Sequence, residues 1–226
     1  MTKSRLPQVQ TLTLNNYSFE SVDHFKYLGS IVNKTNDCSQ EISERLKMGN
    51  KAFASLYKIL GSNLLTKASK IRLYKTLIVP IILYGSETWT MKKCDENRLD
   101  VFERKILRRI LGPIREDDGT YRLRYNDECM KELKEAPVSA KVKIKQLKWA
   151  GHVVRMDASN PTHKTFIGVA AGKRNIGRPK LRWIDNIEKT ATAIGRRNWR
   201  ILAPDRDRWR SVLREAQIHF GSLRQP

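Results

Sequence analysis

Lys173, Arg174, Arg178, Lys180 and Arg182 cluster around Gly168, Gly172 and Gly177 in the stretch GVAAGKRNIGRPKLRWIDNIEK, residue types suited to gripping phosphates. A nucleotide-binding phosphate loop needs G-x-x-x-x-G-K followed by Ser or Thr, so that backbone amides surround the phosphates and the hydroxyl holds the metal. Gly168 and Gly172 are one residue too close for that, and Arg174 stands where the hydroxyl should be. No strand pattern precedes the stretch, and nucleotide binding is excluded. Acid–base chemistry is equally thin. Asp117 and Asp118 are adjacent carboxylates in a charged loop without the apolar flanks that would pre-position a metal pair, and they read as a solvated turn. His152 lies between Trp149 and Arg155, but no carboxylate or nucleophile is paired with it in sequence, so a structural imidazole is expected. His24, His163 and His219 are isolated.

What remains is charge and reach. Gly177-Arg178-Pro179 resembles the core of an AT-hook, whose arginines lie along a narrow minor groove, but Ile176 occupies the place of the second arginine. The five cations are therefore expected to meet backbone phosphates, which requires no base reading. The whole chain supports such a partner. Its 44 Lys+Arg and 23 Asp+Glu leave a formal charge of +21, an excess that self-repels without a polyanion. Residues 1–100 hold 15 basic and 9 acidic side chains and residues 101–226 hold 29 and 14, so the C-terminal half is the stronger electrostatic footprint. RNA and DNA are the leading partners.

Cys38, Cys94 and Cys129 form no CxxC or CxxH spacing, which excludes a zinc site or disulfide framework and predicts reduced, intracellular, mostly buried thiols. The most apolar run, LIVPIILYG, is too short for a membrane span and is interrupted by Pro80. MTKSRLPQVQ lacks the apolar core of a signal peptide, so the triplets NYS and NKT read as chance glycosylation matches. The five tryptophans, Trp89, Trp149, Trp183, Trp199 and Trp209, are expected as core anchors edged by arginine stems more than as base-stacking platforms.

These residues must be positioned by a mainly α fold with a small N-terminal antiparallel β element. VQTLTL, YSFESV and FKYLGSIV read as strands of one meander, too small to stand alone. From Asp37 the period becomes helical, with Ile42, Leu46, Phe53, Leu56 and Leu60 on one stripe, Asp37 or Ser39 as cap and Gly61 as stop. A second helix is predicted from Thr66 to a break at Pro80, and a third from Asp95 to Gly112-Pro113 with Arg104, Lys105, Arg108 and Arg109 largely outward. The polar REDDGTYRLRYND suggests a boundary. Beyond it, helices are predicted over ECMKELKEA, Val138–Met156 and Trp183–Ile194, with a last one starting near Asp205 or Asp207. The expected organisation is a β element at 1–36, a helical unit at 37–115 and a basic helical subdomain at 116–226.

Several strings, in this order, resemble the C-terminal part of reverse transcriptases of non-LTR (LINE-type) retrotransposons, especially the RTE-like group and its host-derived relatives. FKYLGSIV is similar to the primer-grip strands, EISERLKMGNKAF and YKTLIVPIILYGSETWTM to the thumb and the segment after it, and WAGHVVRM, GRPKLRWIDNI and LAPDRDRWRSV to downstream blocks. The resemblance implies that Tyr27, Leu28 and Gly29 form the primer-grip turn, and that lysines including Lys47, Lys51 and Lys70 face a template–primer backbone. It assigns no chemical role to the downstream blocks. It further implies that the metal-binding palm carboxylates, which in the family use Mg2+, lie upstream of the matched region. The chain is thus expected to have no catalytic, metal or cofactor site of its own and to be unable to polymerise alone. A palm encoded upstream, a host-adopted interaction protein and an inert relic remain alternatives, as do RNA, DNA and hybrid ligands.

Overall fold

The computed structural model describes residues 11–14, 16–133, 135–168, 177 and 181–221. Two separate hairpins begin the described chain, in place of the expected single meander. Strand β1 (Thr11–Leu14) pairs antiparallel with β2 (Tyr17–Glu20), and β3 (His24–Tyr27) with β4 (Ser30–Asn33). FKYLGSIV therefore folds back on itself. Leu28 and Gly29 both have positive φ, 46° and 85°, as a tight primed turn between right-twisted strands requires, and this turn prevents one continuous strand.

Helix α1 (Ser39–Gly61) buries Ile42, Phe53 and Leu60 on the expected stripe. Its N-cap is Cys38, which contributes no side-chain cap bond; Asp37 Oδ1 instead accepts from Ser39 N at 3.0 Å. Gly61 ends the helix without a positive φ. A Cβ there would lie 2.1 Å from the Arg109 guanidinium, so this glycine provides passage for a side chain from another helix.

Thr66 caps α2 (Lys67–Leu73) by accepting from Ser69 N at 3.1 Å. A π-helical turn, Tyr74–Ile78, then leads into α3 (Val79–Ile82), whose second residue is Pro80. Proline cannot donate to the preceding turn, and the wider π turn before it lets the chain continue without a full break. A 3-10 turn, Ser86–Thr88, precedes α4 (Lys93–Leu111), which buries Leu99, Phe102, Ile106 and Ile110 as its periodicity predicts. The polar segment after it holds a small hairpin, β5 (Ile114–Arg115) with β6 (Tyr121–Arg122).

Helices α5 (Asn126–Leu133), α6 (Val138–Val154), α7 (Pro161–Ile167), α8 (Trp183–Ala193), α9 (Trp199–Leu202) and α10 (Arg206–His219) complete the described chain. Sequence periodicity does not reveal α7 or α9, because each is too short to repeat a pattern. An Asn160 cap and Pro161 at the first position were the available signal for α7.

Two apolar cores result. The first joins α1 to α4 with Trp89 and Met91, and also includes Cys129, Leu133, Val138 and Val142. The second contains Leu147, Ala150, Ile187, Ala191, Trp199, Ala203, Trp209, Val212 and Ala216. Helix α6 supplies both, so the apolar division falls within one helix. Its start is held from the first core: Glu103, fully buried on α4, accepts from Val138 N at 2.9 Å and from Tyr74 Oη at 2.8 Å.

Candidate nucleic-acid interface

The β3–β4 tip is fixed to the helical body at its backbone. Tyr84 Oη donates to Leu28 O at 2.7 Å, and Arg45 Nη2 donates to Gly29 O at 2.6 Å. Arg45 also binds Glu41 Oε1 at 2.6 Å, while Glu41 Oε2 accepts from Ile31 N at 2.6 Å. Both charged side chains are buried, and the Arg45 guanidinium lies 4.3 Å from the Tyr84 ring centre. The turn is therefore rigidly placed while Tyr27 and Leu28 project outward, 61% and 75% exposed. Beneath it opens a cleft of about 740 Å³, lined in part by Tyr27, Val32, Pro80, Tyr84 and Lys145.

The lysines named from sequence divide. Lys47 and Lys51 are exposed one turn apart on α1, and Lys58 continues their face. Lys47 contacts Glu44 at 2.5 Å, whereas Lys51 and Lys58 have no ion pair among the described residues. Lys70 is a correction: it lies on the inward side of α2 and is only 6% exposed, so it cannot present its charge as Lys51 does.

The α4 cations are also less free than expected. Arg109 donates to Tyr57 O at 3.2 Å and stacks 3.9 Å from the Tyr57 ring centre. Arg108 reaches Arg124 O at 3.1 Å and Asn126 at 2.8 Å, and Lys105 reaches Asn50 at 2.9 Å.

Of the basic loop, Lys173, Arg174, Arg178 and Lys180 lie outside the described residues. Arg182 is described and exposed. It is the N-cap of α8, its N–H donating to Asp185 Oδ2 at 2.9 Å and its guanidinium lying 3.3 Å from Asp185 Oδ1. The next residue, Trp183, donates from Nε1 to Glu87 O at 2.8 Å.

That bond belongs to a seam that sequence reasoning missed. The segment SETWTM presents alternate carbonyls to the C-terminal helices: Glu87 O to Trp183, Trp89 O to Gln146 Nε2 at 2.8 Å, and Met91 O to Asn186 Nδ2 at 3.3 Å. The WAGHVVRM and DRDRWRSV blocks meet in the second core. A Cβ on Gly151 would fall 1.9 Å from Trp209 Nε1, so only glycine lets these helices approach so closely. Arg155 donates to Ala203 O at 2.6 Å. Trp89, Trp199 and Trp209 are buried, and Trp149 and Trp183 half-buried.

These motifs are thus packing devices first. The titratable groups tell the same story. Burial holds the Glu103 carboxyl above its ordinary range, and the Lys92 ammonium draws Asp37 down to about 2. Asp118 is held low by accepting from Thr120 Oγ1 and N, at 2.7 and 2.9 Å, as a solvated turn would be. Cys129 is buried, Cys38 half-buried and Cys94 exposed, and burial raises the Cys38 and Cys129 thiols. Among the described residues no group of three His, Cys, Asp or Glu is placed to hold a metal ion, and no helix is long and apolar enough to cross a membrane.

The sequence is similar to that of a transposon-derived protein. This relative, from Caenorhabditis elegans and described as uncharacterized, is 29% identical over 201 residues, covering 86% of this chain and 71% of its own length. No family model and no solved structure matches the chain.

Proposed function

We propose that the chain derives from a transposable element and binds nucleic acid through backbone electrostatics, as a non-catalytic C-terminal part of a non-LTR-type RNA-directed DNA polymerase. The transposon-derived relative supports the origin. The observation that carries the binding is the outward α1 face, where Lys51 and Lys58 have no acidic partner among the described residues beside Lys47, in a chain of charge +21. Such a surface reads phosphate and shape, and each neutralised duplex phosphate lowers the log–log salt slope by about 0.9. A filter-binding titration should therefore lose affinity steeply with salt and depend little on sequence. Affinity independent of salt, or none for RNA or DNA at low salt, overturns the reading.

A second observation favours a larger enzyme around this chain. Tyr17, Phe19, Phe25, Tyr27 and Val32 of the hairpins are between 45% and 71% exposed. Exposed apolar side chains of this kind suit a protein partner. A palm domain encoded upstream, carrying Mg2+-binding carboxylates, would cover it. An in-frame aromatic-x-Asp-Asp block in the upstream gene supports that enzyme; its absence, with stable expression of the short chain, removes it.

A further inference from the structure

Helix α6 divides into two halves of different electrostatic character. From Val138 to Met156 the sequence contains no Asp or Glu. In the N-terminal half, acids from neighbouring elements neutralise each lysine: Glu135 lies 2.9 Å from Lys141, Glu96 3.0 Å from Lys143, and Glu87 3.1 Å from Lys145. In the C-terminal half no such partner is found among the described residues for Lys148, His152 or Arg155. Instead a further cation lies on this side: Arg206, exposed at the start of α10, precedes by about one turn Trp209, whose ring lies against Gly151 of this half.

An aromatic pair lies in this uncompensated half. The Trp149 and His152 rings are 5.2 Å apart between centres and tilted by 43°. His152 is exposed and Trp149 is half-buried. Lys148 is exposed one turn before His152, about 6 Å along the axis. Trp89, Trp199 and Trp209 are sealed in the cores and Trp183 is tied to Glu87 O, so Trp149 does not share their anchoring geometry.

We infer that Trp149 and His152 form a stacking platform for an unpaired nucleobase, with Lys148 and Arg206 holding the adjacent phosphates of a single strand. The inference rests on the proposed nucleic-acid binding and goes beyond it, because backbone electrostatics alone do not distinguish single strands from duplex. Duplex bases are already stacked on one another, whereas an unpaired base offers a free face to an aromatic ring. The cations draw the strand, and α6 itself carries no carboxylate from Val138 to Met156 to repel it.

The full-length chain tests this by fluorescence anisotropy with a labelled single-stranded oligothymidine or oligouridine and with a duplex of equal length. Trp149→Leu and His152→Ala should weaken single-strand binding about five- to a hundredfold and leave duplex binding within about twofold, whereas Trp149→Phe, which keeps an aromatic ring, should retain most of the single-strand affinity lost in Trp149→Leu. Because His152 is exposed, His152→Ala keeps the question answerable should Trp149→Leu unfold the chain. Wild-type single-strand affinity in a folded His152→Ala, or equal losses for single strand and duplex, overturns the platform while leaving the electrostatic reading intact. A wild-type chain that binds neither ligand at low salt overturns both.

Discussion

The two cores are held together by different chemistry. In the first, charged and phenolic side chains reach into the interior: Arg45 with Glu41 joins the hairpin to α1, and Glu103 joins Tyr74 to the start of α6. In the second, the interior contacts are aromatic. Trp199 and Trp209 lie 6.0 Å apart, Phe166 packs edge-on against Trp199 and Trp183, and Trp209 lies against Gly151. Ion pairs of that half, such as Arg196–Glu215 and Arg200–Glu188, lie on its surface. A chain of one overall charge thus uses some cations as structural parts and leaves others, such as Lys51 and Lys58, exposed with no ion pair among the described residues, and the count of lysines and arginines does not measure the free charge.

The largest break in this contrast is expected from Arg45→Ala. Removing one partner leaves Glu41 buried without its counter-ion, which costs about 3–5 kcal/mol. Chemical denaturation should show that loss, with the hairpin residues exchanging amide hydrogens fastest. Gly151→Ala is the matching test in the second core. The added methyl meets Trp209 in a packed interior and should destabilise by about 1–3 kcal/mol, read as a lower Tm.

Glu103 sharpens the comparison through pH. Burial raises its carboxyl above the ordinary 4.5, so the folded state holds the proton more tightly than the unfolded one. The associated stability is complete below pH 4.5 and is lost as pH rises through the raised value. Glu103→Gln should flatten that decline between mildly acidic and neutral pH. A denaturation series unchanged from wild type in its pH slope would contradict it.

The smallest stability effect should come from Lys51→Ala with Lys58→Ala, within about 0.5 kcal/mol each, because neither ammonium has an ion pair among the described residues. Their effect belongs to binding: the duplex salt slope should fall by about 0.9 for each phosphate contact removed. Arg109→Ala is the contrasting variant. It should lower the Tm by loss of its Tyr57 contacts and leave the salt slope unchanged.

Much of the fold was legible in the sequence. The stripes from Ile42 to Leu60 and from Leu99 to Ile110 identified α1 and α4 because a helical face that meets a core repeats every 3.6 residues. The Asn160-Pro161 helix and the single turn at Trp199 were not legible, since neither is long enough to show a period. The candidate interface was legible in its composition, whereas residue pattern alone made FKYLGSIV a strand and only the family resemblance put a turn at Tyr27, Leu28 and Gly29.

Which charges are available was decided only in three dimensions. Lys70 and Lys51 are alike in sequence, but one lies on the inward side of its helix and the other outward. Arg109 looked outward on α4 until Gly61 and Tyr57 of α1 received it, and Lys141, Lys143 and Lys145 find their acids on three other segments. By itself the sequence determined helix periodicity, turn chemistry and total charge, which depend on neighbours along the chain. Tertiary structure determined the partner of each charge, because desolvation and ion pairing depend on groups brought close from distant parts of the chain.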